Sequence, residues 1–124
     1  NIKNAYIINI GVQFTIISYK QFNKNDVLLD CINSLKNYFN IDKWEIGQPI
    51  ILADIENLLG SVNGVRSVVD VVIVNKFSSL GDTIYSNNYY HIPAATLDGI
   101  LYPSKDPSIF EIKNANIDIE GAIR

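Results

Sequence analysis

The chain has 124 residues, 48% of them hydrophobic and 19% charged, which fits one domain and excludes wholesale disorder. A net charge of -3, two arginines (Arg66 and Arg124) and scattered lysines speak against a nucleic-acid partner. No apolar run approaches the ~20 residues that cross a bilayer, and no basic stretch precedes an apolar one as in a signal peptide, so no membrane partner is expected.

Residues 8 to 16 alternate, with Ile8, Ile10, Val12, Phe14 and Ile16 on one face, the period of a half-buried strand. Asn23 and Asn25 offer an N-cap to a helix over about 25–39, where Val27, Leu28, Cys31, Ile32, Leu35, Tyr38 and Phe39 form one apolar stripe. Gly47 and Pro49 punctuate the chain before a second helix over 52–60, with Ile51, Ile55, Leu58, Leu59 and Val62 as its apolar face. Asn63-Gly64 predicts a tight turn, and Val65 to Phe77 a strand apolar on both faces: Val69, Val71 and Ile73 on one, Val68, Val72 and Val74 on the other. The predicted core contains Phe14, Leu28, Ile32, Leu35, Ile55, Leu59, Val69 and Val71.

These elements predict an α+β fold: a β-α-α-β core domain over 1–77, with both helices on one face of a small sheet. Two strands alone are marginal, so further strands or a second chain should widen that sheet. Residues 78–124 read as an aromatic loop segment and an extended C-terminal arm. Gly81, Gly99, Pro93, Pro103 and Pro107 break up the loop, which carries Tyr85, Tyr89, Tyr90 and Tyr102. In the arm, Phe110-Glu111-Ile112-Lys113 and Ile117-Asp118-Ile119-Glu120 alternate with phases that disagree across Asn114-Ala115-Asn116. A hairpin there would oppose Glu111 and Asp118, so an extended arm is favoured, its apolar edge added to a neighbouring subunit or a partner protein; the alternative is that it returns to the 8–16 or 65–77 strand and completes the sheet within the chain.

Groups that could carry catalysis do not converge. His91 is the one histidine and sits among tyrosines and Pro93, which suits a loop or interface residue. Cys31, the one cysteine, lies on a helical apolar stripe as a small hydrophobe and cannot form an internal disulfide. Asp54 and Glu56 suit the positive end of a helix dipole. Asp106, Glu111, Asp118 and Glu120 follow no cation-loop pattern. No enzymatic activity, cofactor or metal is therefore expected. The candidate interface residues are Tyr85, Tyr89, Tyr90, Tyr102, Phe110, Ile112, Ile117 and Ile119, since tyrosine and apolar strand edges are common in contacts between proteins. The absence of methionine, even before Asn1-Ile2-Lys3-Asn4, predicts an excised or processed piece of a longer product. The many isoleucines and asparagines, as in Ile7-Ile8-Asn9-Ile10, are what an AT-rich coding sequence would yield without functional cause.

Two stretches carry a resemblance. Ile46-Gly47-Gln48-Pro49-Ile50, then Ile55, Leu59, Val62 and Asn63-Gly64-Val65-Arg66-Ser67-Val68, are similar to the C-terminal region of baseplate-J-like proteins. Leu97-Asp98-Gly99-Ile100-Leu101-Tyr102-Pro103, Lys105-Asp106-Pro107-Ser108-Ile109-Phe110-Glu111-Ile112-Lys113 and Asp118-Ile119-Glu120-Gly121 resemble the end of baseplate wedge subunits of contractile-tailed phages. Such tails often continue with Tyr-Pro after Lys113, where this chain has Asn114-Ala115. The resemblance implies a structural virion protein in the tail baseplate, assembled in the host cytoplasm. Its partners would be a second copy, as a homodimer, and other baseplate proteins. The alternative is a ferredoxin-like regulatory or small-ligand-binding domain, which would need a concave pocket with convergent polar groups.

Overall fold

The computed structural model describes residues 6–77, 85, 86, 88–104 and 107–124; Gly81, Lys105 and Asp106 lie outside them. The fold is mixed α+β, organised on one long strand, β1 (Tyr6–Ser18). Its inward residues Ile8, Ile10, Val12, Phe14 and Ile16 are all buried, as the alternation requires. Asn23 caps α1 (Lys24–Tyr38), its side-chain oxygen accepting from the amides of Asn25 and Asp26 at 2.9 and 3.2 Å. Val27, Cys31 and Leu35 form the buried stripe of α1, while Leu28 and Ile32 are half-buried at its margin rather than central. A 3-10 turn (Ile41–Lys43) then delivers Trp44 onto Tyr38 and Phe39, with ring centroids 5.6 and 5.2 Å apart.

The chain continues through β2 (Ile50–Ile51) into α2 (Leu52–Gly60), which buries Ile55 and Leu59 against the same core. The Asn63-Gly64 turn needs its glycine twice over. Gly64 has φ +97°, and a Cβ there would stand 2.7 Å from the Val27 side chain.

β3 (Val65–Asn75) runs antiparallel to β1, and the two-face reading of it is corrected. Thr15 lies opposite Asp70 but Ile16 opposite Val68, and Ile17 opposite Ser67 but Ser18 opposite Val65. Val69 and Arg66 are thus bulged extra residues, each of which shifts the side-chain phase by one. The inward set becomes Val65, Val68, Val71 and Ile73, of which Val65 and Ile73 are buried. Val69, expected in the core, is exposed, and Val72 is 46% exposed on the outer face. The strand is covered on its inward face by the core and left open on the other.

The C-terminal segment widens the sheet from within. β6 (Ser108–Glu111) pairs parallel with residues 6–9 of β1, and β7 (Ile119–Ile123) pairs parallel with Val12 to Ile16. Both use the edge opposite β3. Tyr6 donates its amide to Pro107 and Ile16 accepts from Arg124, both even-numbered positions of β1, whereas odd-numbered Asn9 accepts from Lys76 on the β3 side. A helical turn, α4 (Ala115–Asp118), joins β6 to β7, replacing both the hairpin and the straight arm. Docking of the arm on a neighbour is therefore corrected: its strands complete the chain's own sheet, and Phe110 and Ile119 are core. Residues on both sides of position 77 share one sheet and one core. Gly121 makes that closure feasible, because a Cβ there would overlap the Phe14 ring and Leu28.

Residues 92–101 form α3 (Ile92–Ala95), β4 (Thr96–Leu97) and β5 (Ile100–Leu101). β5 lies between β4 and β2 in a second, three-stranded sheet. Asp98 and Gly99 take positive φ, 53° and 77°, the backbone of a two-residue hairpin turn.

Leu35 is fully buried. Leu35→Ala should cost about 2–5 kcal/mol in denaturant unfolding. A cost below about 0.5 kcal/mol would remove it from the core. Gly121→Ala should cost about 1–3 kcal/mol, because the buried Phe14 ring has to move.

Candidate functional site

Side-chain hydrogen bonds, together with aromatic packing, hold the loop that carries Tyr85, Tyr89 and Tyr90. Asn9 lies near the N-terminal end of β1 and is 1% exposed. Its Nδ2 donates to Glu111 Oε1 at 2.8 Å, and its Oδ1 accepts from the Ser86 amide at 2.8 Å. Its backbone carbonyl accepts from the Lys76 amide and from Asn75 Nδ2, at 2.8 and 3.0 Å. Asn75 in turn accepts the Tyr90 amide on its Oδ1 at 2.8 Å. The Ile7 carbonyl receives both Ser86 Oγ and Asn88 Nδ2. At the far side Tyr85 donates its hydroxyl to Asp118 Oδ1 at 2.6 Å, while Asp118 Oδ2 accepts the Asn114 amide at 3.2 Å. Asp118 is buried and bonded at both oxygens, which is the condition for keeping a carboxylate out of water. Gly11 gives its backbone room, since a Cβ there would stand 2.9 Å from the Asp118 carbonyl.

The clamp presents an aromatic surface. Tyr89 is 62% exposed and meets Phe77 edge-to-face with centroids 5.1 Å apart. Tyr6, Ile8, Asn88, Tyr89, Tyr90 and Ser104 line a shallow cavity of about 270 Å³. Tyr90 donates its hydroxyl to the Tyr102 carbonyl at 2.7 Å and leans on buried Phe110. Burial raises the Tyr90 phenol above its ordinary pKa.

Of the eight candidate interface residues, Tyr89, Tyr102 and Ile117 are exposed, and Tyr85, Tyr90 and Ile112 are half-buried. Phe110 and Ile119 are core, and Ile117 sits apart on α4. Tyr6 and Phe77, exposed members of the surface, were missed because one begins a strand, the other lies just beyond one, and neither breaks a pattern. Asn9 was missed too, although a polar residue inside Ile7-Ile8-Asn9-Ile10 is the signal of a buried hydrogen-bonding role.

Cys31 lies in the core, where burial first and Asp30 second push its thiol up to about 11. His91 is exposed at the start of α3, and Asp54 stands in the first turn of α2. Among the described residues no group of three or more His, Cys, Asp or Glu could hold a metal ion, and no helix is long and apolar enough to cross a membrane. A second cavity of about 530 Å³ lies between the end of α1 and the β6–β7 connection, lined by Lys36, Phe39, Glu111, Ile112 and Lys113 among others. Lys36 is hydrogen-bonded to Asn116 there.

No family model matches the chain, and no curated protein is significantly similar to it.

Asn9→Ala should cost about 1–3 kcal/mol, because the Ser86 amide and Glu111 lose their partner. It should also speed proteolysis within residues 85–90, followed by mass spectrometry. A neutral outcome on both would show that the loop is held by other contacts. Phe77→Ser and Tyr89→Ser remove exposed rings and should shift unfolding by less than about 1 kcal/mol.

Proposed function

We propose that the chain is a structural assembly domain of a phage tail baseplate wedge, working through contacts with other proteins. The observation that carries this reading is the aromatic surface of Tyr6, Phe77, Tyr89 and Tyr90. Exposed aromatics held on backbone that is already fixed lose little entropy on binding, which favours them as contact anchors. Within the fold we read β1, α1, α2 and β3 as the β-α-α-β unit of the resemblance, with both helices on one face. Neighbouring baseplate proteins would take the aromatic surface, and a second copy would complete a homodimer. The chain has no catalytic step in this reading, and its place is the virion.

The second reading, a ferredoxin-like regulatory or ligand-binding domain, rests on the cavity beside Lys36 and Lys113. Its volume of about 530 Å³ falls in the range of small-molecule sites. Two lysines and Glu111 at its wall would suit a small anionic ligand with a hydrogen-bond donor.

Antibody raised against the domain should decorate the baseplate end of contractile tails, seen by electron microscopy of particles from cells that carry the gene. Purified tails that contain none of the chain by mass spectrometry would overturn the assembly reading. Saturable binding of a small anion, abolished by Lys113→Ala, would favour the second.

A further inference from the structure

Among the described residues only β1 pairs with β3, so the other edge of β3 carries unpaired backbone groups. The two bulges, at Arg66 and Val69, are confined to its first half; from Asp70 to Asn75 the register is regular. Bulges blunt an edge against strand addition, and the regular half lacks that protection. The Lys76 amide points to Asn9 of β1. Alternation then sends the backbone groups of Val71, Ile73 and Asn75 to the open side. On the outer face of this half stand Asp70, Val72, Val74 and Lys76 in sequence. Asp70 and Val72 are exposed, Val74 and Lys76 half-exposed. Neither Asp70 nor Lys76 has a charged partner in the chain among the described residues.

We propose that a second copy of this chain adds here, the two β3 strands pairing antiparallel about a two-fold axis at Ile73. In that register the outward groups of Ile73 meet those of the second copy's Ile73, and Val71 meets Asn75. On the outer face Val72 falls opposite Val74, and Asp70 opposite Lys76, twice. The strand is thus self-complementary: an apolar centre flanked by two opposite-charge pairs, as an isologous interface requires. Charge selects the register. Moving the axis one residue towards the N-terminus sets Asp70 opposite Val74 and unpairs both charges; moving it two sets Lys76 opposite Arg66. The result is one continuous sheet across two protomers. This deepens the self-association in the assembly reading by naming its surface, and it holds or fails independently of any place in a tail.

Cross-linking reads the register directly. Opposed residues in a non-hydrogen-bonded antiparallel pair have Cα atoms about 4.5 Å apart, within reach of a disulfide. Val72→Cys and Val74→Cys, mixed and oxidised with diamide, should give a disulfide-linked dimer that neither variant gives alone; buried Cys31 stays out of the reaction. Sedimentation should show a concentration-dependent dimer. Asp70→Lys and Lys76→Asp should each weaken it roughly tenfold or more, and the double swap should restore it. Circular dichroism of each variant confirms its fold. A monomer at every accessible concentration, a cross-link formed as well by one cysteine variant alone, or a dimer indifferent to the swaps would overturn the proposal. Because none of these measurements involves tail particles, their failure would leave the assembly reading to its own test.

Discussion

A strand of thirteen residues has two edges to pair and an apolar face to cover, and β1 meets these requirements with different parts of the chain. One edge takes β3; the other takes β6 and β7 end to end. Val27, Cys31 and Leu35 of α1 and Ile55 and Leu59 of α2 belong to the same buried cluster as its inward residues. On the outer face near its N-terminal end Asn9 is buried among polar contacts, while Ile7 and Gln13 on the same face stay exposed. Among the described residues, every strand of the main sheet bonds to β1 and to no other strand. The inward side chains of β1, fully buried, are the floor on which Leu35, Ile55, Leu59 and Phe110 meet. Removing register from this strand would therefore disconnect all the others at once.

The polar clamp follows from the same geometry. Beyond Gly11 the outer face of β1 narrows to Asn9 and Ile7, where β3 ends and β6 ends. Carbonyls of β1 at that point would lack ladder partners if the chain simply left. Asn75, Ser86 and Asn88 supply donors in their place, and Asn9 supplies both a donor and an acceptor. A loop held this way keeps Tyr89 exposed while Tyr90 packs against the core, since its course is set by hydrogen bonds to backbone and to side-chain amides. Interaction surfaces carried on such fixed loops are a common use of a rigid scaffold.

Openness of the β3 edge and closure of the C-terminal segment are also linked. Because β6 and β7 fill the far edge of β1, β3 is the terminal strand of the sheet among the described residues. The bulges at Arg66 and Val69 interrupt the half of β3 nearest the Asn63-Gly64 turn, and the remaining half keeps a regular register with Val72 and Val74 on its outer face. What the chain gains in its own stability by folding the C-terminal strands back it leaves available at the opposite side of the sheet.

How much of this was legible depends on the range of the interaction. The alternation of β1, the stripe and cap of α1, the span of α2 and the Asn63-Gly64 turn are set by neighbours within a few residues, and the amino-acid sequence determined them nearly to the residue. Asp98-Gly99 is equally local, a hairpin turn signal that the proline-rich surroundings hid. Tertiary structure alone decided the rest. Two bulges turned a period of two into the spacing 65, 68, 71, 73, because each arises from how β3 fits the partner strand and not from β3 itself. The apolar edge of residues 108–123 announced that it would join a sheet, but not whose, since strand addition in one chain and between two uses identical hydrogen bonds. Asn9, too, is polar in any context; its role exists only because Ser86, Lys76 and Glu111, distant in sequence, arrive within 3 Å of it.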